Sequence, residues 1–215
     1  MKNKMRTRAR EPDKNQSPYG DVVTHSSYRN TIKPMIEFLE TKQTGICLEI
    51  GVFGGSTLLG VYDTCKSRDI EVYGVDPWEN ITNANGFTPE QIGEDEWANR
   101  MIAKKKMRER LQNIISAHSL NIKLFQNTSE AIVDCFEDGS IDCIHVDGDH
   151  SYEGVISDMN LYWPKLKSSG MMLMDDYIKS TWPEVFRATN DFINTNIKEI
   201  DTHQGFMTKM KIIKK

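Results

Sequence analysis

Glu49-Ile50-Gly51-Val52-Phe53-Gly54-Gly55-Ser56 is the stretch on which the reading of this 215-residue chain turns. Residues 46–50 form a short apolar run suited to a buried parallel strand. Ser56 then opens a helix that carries on through Tyr62. Glycines between a strand and a helix permit positive φ and leave no Cβ in the way of a ligand approaching the backbone. The helix that follows offers unpaired N–H groups and the positive end of its dipole. The spacing is GxxGG, whereas a dinucleotide turn would read GxGxxG, and no Lys follows the glycine pair as in a phosphate-binding loop. Asp76 closes the next strand, residues 71–76, just before Pro77. A carboxylate there can accept hydrogen bonds from both hydroxyls of a ribose. Taken alone, the turn fits a nucleotide-type cofactor or a tight bend with no ligand.

The pattern extends outward in both directions. A helix is expected from near Ser27, with Ile32, Met35, Ile36 and Leu39 on one face. Beyond Asp76 come a polar stretch to about Gly93, a charged helix over 94–117 and a strand over 121–125. A helix over 129–135, a strand over 141–146 and a helix over 152–166 follow. The last elements are a strand over 171–174, a helix over 182–194 and two strands over 197–202 and 206–213, joined around Gln204-Gly205. Alternating strands and helices predict an α/β fold with a mostly parallel sheet. The final link is too short for a helix, so one of the last two strands runs antiparallel.

Two acidic clusters fall at neighbouring strand ends. Ile144-His145-Val146-Asp147-Gly148-Asp149-His150-Ser151-Tyr152-Glu153-Gly154 follows one strand, and Met174-Asp175-Asp176-Tyr177 ends the next. In open α/β sheets ligands bind beyond the carboxyl ends of the strands. Asp147, Asp149, Asp175 and Asp176 are therefore expected on one rim with the glycine turn. Carboxylates gathered this way repel one another unless a cation neutralises them, and oxygen ligands suit Mg²⁺. His150 adds a base that titrates near neutral pH.

Composition narrows the classes further. There are 27 Lys+Arg against 31 Asp+Glu, a formal charge of −4, which argues against a general nucleic-acid binder. No apolar run is long enough to span a membrane, and the basic N-terminus lacks the apolar core of a secretory signal. Residues 1–16 read as a disordered basic tail and 17–215 as one domain. Cys47, Cys135 and Cys143 sit among apolar residues without CxxC spacing, so reduced, buried thiols and a cytoplasmic protein are expected. Trp78, Phe87 and Trp97 suit a lid or an aromatic wall for the acceptor, with Tyr19, His25 and Tyr28 closing the other side.

Together, the turn at 49–56, Asp76, the Asp147–Tyr152 block and Asp175-Asp176-Tyr177 resemble class I S-adenosylmethionine (SAM)-dependent methyltransferases. The nearer resemblance is to the subgroup that holds metal-dependent sugar O-methyltransferases of macrolide and aminocoumarin tailoring and the cephalosporin hydroxylase-like proteins. It spans roughly residues 32–211. The resemblance implies a Rossmann-like, seven-stranded, mostly parallel sheet with an antiparallel last strand and helices on both faces. SAM would lie against Glu49, Gly51, Val52, Phe53, Gly55 and Ser56, with Asp76 on its ribose and Asp147 bordering it. Asn127, Thr128 and Ser129 fall at the adenine-proximal segment, where the family often has an Asp that this chain lacks. Asp147, Asp175 and Asp176 match the metal ligands, for Mg²⁺ or another divalent cation, and Asp149 or His150 matches the base. The implied activity is metal-dependent methyl transfer to a hydroxyl of a sugar or glycan. A catechol-type or other small-molecule O-methyltransferase is the alternative, and a nicotinamide oxidoreductase or a non-catalytic binding protein the reading from another class. The expected partner is a small-molecule or glycan acceptor, with no nucleic acid and a homodimer left open.

Overall fold

Seven strands make one sheet, which runs from edge to edge through Ile122–Phe125, Asp69–Val75, Thr44–Ile50, Ile141–Val146, Leu166–Met174, Lys209–Lys214 and Ile200–Phe206. The computed structural model describes residues 31–81 and 88–215. The expected basic tail, Tyr19, His25, Tyr28, Phe87 and the expected helix start near Ser27 lie outside them. In chain order the elements are α1 (Lys33–Glu40), β1 (Thr44–Ile50), α2 (Ser56–Cys65), β2 (Asp69–Val75), α3 (Pro89–Ile92) and α4 (Glu94–Ala117). Then come β3 (Ile122–Phe125), α5 (Ser129–Ile132), β4 (Ile141–Val146), α6 (Tyr152–Tyr162), β5 (Leu166–Met174), α7 (Pro183–Thr195), β6 (Ile200–Phe206) and β7 (Lys209–Lys214). Strands β1 to β5 pair in parallel, and β7 runs antiparallel to both β5 and β6, as expected.

The two-residue period of a strand sorts the core into two layers. Leu48, Ile50, Ile144, Val146, Met172 and Met174 face a cluster completed by Val155 and Met159 of α6 and Ala188 and Phe192 of α7. Cys47, Cys143, Met171 and Leu173 face the other cluster, with Met35 and Leu39 of α1, Leu58 and Leu59 of α2, and Leu111 of α4. Every residue of β4 is buried, as a central strand covered on both faces requires.

Several boundaries differ from the sequence reading. The helix expected to reach residue 166 stops at Tyr162, because Pro164 has no N–H to donate to the turn before it. The chain then enters β5 at Leu166 rather than at Met171. The last hairpin turns at Met207-Thr208, not at Gly205, which pairs with Met210 inside the ladder. Met207 takes positive φ (52°) without the glycine that usually marks such a turn. Cys47 and Cys143 are buried as expected, but Cys135 is exposed on a short 3₁₀ turn, so the expected burial fails at that position; Cys65 is buried as well. No helix among the described residues is long and apolar enough to cross a membrane.

Candidate active site

One backbone device sets the rim. The first residue beyond each of four parallel strands donates its amide to the last residue of the neighbouring strand. Gly51 N bonds Val75 O (2.9 Å), Asp76 N bonds Phe125 O (3.1 Å), Asp147 N bonds Ile50 O (2.8 Å) and Asp175 N bonds Val146 O (2.9 Å). Gly51, Asp76, Asp147 and Asp175 are thereby fixed at one level. The strand order reverses between β1 and β4, the crevice where open α/β sheets take ligands.

At the glycine turn, protein atoms demand the glycines. A Cβ on Gly51 (φ +86°) would fall 1.9 Å from the Asp147 carbonyl oxygen, and one on Gly55 (φ +78°) would fall 2.5 Å from Leu111. Their absence of side chain thus lets β1 approach β4 and lets α4 cover the turn, rather than only leaving room for a ligand. Val52 is buried and Phe53 is half exposed at φ +48°. Ser56 begins α2, after Gly55 at the N-cap. Asp76 Oδ2 accepts from Phe53 N (2.7 Å) and Oδ1 from Trp78 N (2.6 Å), so this carboxylate ties the two loops together. Each of its oxygens keeps a second lone pair that a further donor could fill. Trp78 does not form the expected acceptor wall: it is 1% exposed, and its indole N–H is held by Phe53 O at 2.8 Å.

Asn127, Thr128 and Ser129 shape the entry to α5. Asn127 Oδ1 accepts from Thr128 N (2.9 Å), and Thr128 Oγ1 caps the helix through Ala131 N (3.3 Å). Ser129 Oγ donates to Asp158, a buried carboxyl on α6 whose pKa burial pushes up to about 6.

The acidic side of the rim separates into two groups. His150 Nε2 lies 2.9 Å from Asp176 Oδ2 and 3.9 Å from Asp147 Oδ1, with its ring 4.3 Å from that of Trp182. These three residues can bring one ligand atom each within 4.8 Å of one another. Burial opposes protonation of His150, but the carboxylates of Asp176 and Asp147 outweigh it and raise its pKa. Burial, reinforced by Asp175, pushes Asp147 up to about 7. Asp149 does not join them. Its two oxygens accept from the amide (3.0 Å) and hydroxyl (2.9 Å) of Ser151, which itself caps α6.

Asp175 belongs to the second group, a buried row of alternating charge across β1, β4, β5 and β7. Glu49 Oε1 is 3.2 Å from His145 Nδ1, His145 Nε2 is 3.5 Å from Asp175 Oδ2, and Lys209 Nζ pairs with the same Asp175 oxygen. Burial lowers the His145 pKa, but Asp175 and Glu49 overcome it and bring it to about 9. Burial would raise Asp175, yet His145 and Lys209 hold it well below the usual carboxylate range. Burial dominates at Glu49 and raises it. Sequence reasoning passed over His145 and Lys209. His145 stood inside a strand quoted for its aspartates, and Lys209 lies in a terminal strand from which no candidate site residue was drawn.

His150 Nδ1 is buried and has no hydrogen-bond partner among the described residues, which is unusual unless a ligand completes it. Asp147 and Asp176 offer hard oxygen donors side by side, a fit for a divalent cation that keeps several waters.

Residues 48–177 match the family described as "Methyltransferase domain". Over 147 residues the chain is 29% identical to "Uncharacterized protein R132" of Acanthamoeba polyphaga mimivirus, covering 68% of this chain and 58% of that protein. The chain thus spans under two thirds of that relative's length. Among solved structures, the fold superposes on the O-methyltransferase NovP with a TM-score of 0.62 at 17% identity, covering 89% of this chain and 81% of that one. It also superposes on the SAH-bound Podospora anserina methyltransferase PaMTH1 with a TM-score of 0.61 at 16% identity, covering 86% and 78%.

Proposed function

Since the chain belongs to the methyltransferase-domain family, we propose that it is a SAM-dependent O-methyltransferase acting on a sugar or glycan hydroxyl with the help of a divalent cation. The observation that carries this reading is His150: its Nε2 is held by Asp176 beside Asp147, while its Nδ1 is buried and unpartnered on the same rim as the glycine turn.

SAM would be held by the 51–56 turn and by Asp76, and would supply a methyl group made electrophilic by a sulfonium. A divalent ion would be held by Asp147 and Asp176 and would lower the pKa of a bound hydroxyl. The residues of the chain do the rest. With Asp176 accepting from Nε2–H, His150 is fixed in the tautomer whose Nδ1 carries the lone pair. Nδ1 then takes the proton of the attacking hydroxyl. Trp182 beside the imidazole limits how far the ring can turn. Asp149, turned toward Ser151, shapes the start of α6 and leaves the proton to His150.

His150→Ala should lower methyl transfer by about 10²–10⁴-fold while leaving the affinity for S-adenosylhomocysteine (SAH) unchanged, as calorimetry and a product assay would show. Full turnover in that variant would remove His150 from the mechanism.

A second arrangement is favoured by the closeness of His150 to both carboxylates. If Nε2 joined the ion, the nitrogen ligand would favour Mn²⁺ or Zn²⁺ over Mg²⁺. A metal-preference profile separates the two: best activity with Mg²⁺ supports His150 as the base.

A further inference from the structure

Lys209 opens β7 and is 3% exposed, although a lysine is buried only where its charge is met. It is met by Asp175, whose Oδ2 also lies 3.5 Å from His145 Nε2. The other oxygen of Asp175, Oδ1, accepts the amide of Asp176 at 2.7 Å. Asp175 thus holds a backbone amide with one oxygen and the lysine with the other, and it is not among Asp147, His150 and Asp176, whose ligand atoms lie within 4.8 Å of one another. The amide so held belongs to a non-glycine residue in the left-handed region, Asp176 at φ +49°. Such a conformation persists where neighbours over-determine it. Here a second tether helps: Tyr177 N donates to Thr208 O (2.7 Å), one residue before Lys209. The left-handed step leaves the Asp176 carboxylate 2.9 Å from His150 Nε2.

We propose that Lys209 is a positioning residue of this site. From β7 its ammonium serves as the resident cation of Asp175, so that Asp175 fixes the backbone of Asp176 and a divalent ion meets Asp147 and Asp176 but not Asp175. The inference rests on the reading of this rim as a metal-assisted methyl-transfer site, and it departs from the ligand set implied by the family resemblance. A lysine and a dication would compete for the same oxygen, and the lysine is already buried against it.

The test observes the lysine ammonium directly by NMR in the full chain labelled with ¹⁵N-lysine. A buried, ion-paired ammonium exchanges slowly with water and gives a signal that surface lysines do not. Lys209→Arg identifies the signal by its loss. Asp175→Asn should abolish it or move it to the position of an exposed lysine. Saturation with Mg²⁺, followed by calorimetry, should leave it in place. A signal that moves to the exposed position as the ion binds would mean that Asp175 is surrendered to the metal, and the proposal falls. So it does if Asp175→Asn leaves the signal untouched. If calorimetry detects no bound ion, the metal part of the proposed function fails separately, and the response to Asp175→Asn alone decides for or against Lys209. Should Asp175→Asn not fold, the ring resonances of His150 provide the second readout. They should shift in Lys209→Met and return in Lys209→Arg; unmoved resonances in Lys209→Met overturn the proposal.

Discussion

Asp158 shows how a single buried carboxyl links folding to pH. It is 6% exposed, its Oδ1 accepts from Ser129, and its pKa is raised to about 6. The neutral form therefore stabilises the fold. That contribution is complete below the unfolded-state value near pH 4 and is lost as the pH rises through about 6. The shift corresponds to a stability difference on the order of 3 kcal/mol between those limits. Asp158→Asn keeps an acceptor for Ser129 and carries no charge. Its urea-unfolding free energy is expected to exceed that of the wild type at pH 7.5 by about 1–3 kcal/mol, with the difference vanishing near pH 4. An equal gap at both pH values would show that Asp158 is not the group responsible. His150 and Asp149 differ in the same residue-by-residue way. They are adjacent and both polar, yet Ser151 claims one and Asp176 the other. Their order in the sequence could not separate them, because the choice depends on which way each side chain leaves the turn.

At the scale of elements, the glycine turn was legible and the reason for its glycines was not. GxxGG between a strand and a helix pointed to close approach, but what approaches Gly51 and Gly55 is the backbone of Asp147 and the side chain of Leu111. Those contacts join elements far apart in the chain. Gly51→Ala and Gly55→Ala each combine positive φ with a clash, and each is expected to cost at least about 3 kcal/mol. Gly54→Ala, whose Cβ would sit an ordinary 3.6 Å from Met107, should cost less than about 1 kcal/mol. Thermal unfolding of the three variants checks the ranking. The parallel strands were visible because short apolar runs such as residues 46–50 leave little else to read. The hairpin position was missed because Met207 takes a glycine-like conformation, which local sequence does not signal. Lys209 was missed for a related reason: its partner Asp175 is 34 residues earlier, brought near by the antiparallel pairing of β7 with β5.

For the whole molecule, the sheet order turns scattered sequence signals into one rim. Four strand ends at one level place the glycine turn, Asp76, Asp147 and Asp175 around the crevice between β1 and β4. A ligand that binds only the folded chain stabilises it by about 2.7 kcal/mol at one hundred times its Kd. SAH at that excess should therefore raise Tm by roughly 5–10 °C in a domain of this size, and NAD should not. A rise with NAD alone would favour the oxidoreductase reading. The most direct measurement is mass spectrometry of glycosides and catechols incubated with the protein, SAM and Mg²⁺, with and without EDTA. A glycoside that gains one methyl group, and stops gaining it when EDTA is present, is the predicted result; methylation that continues undiminished in EDTA, or that falls on catechols alone, would contradict it.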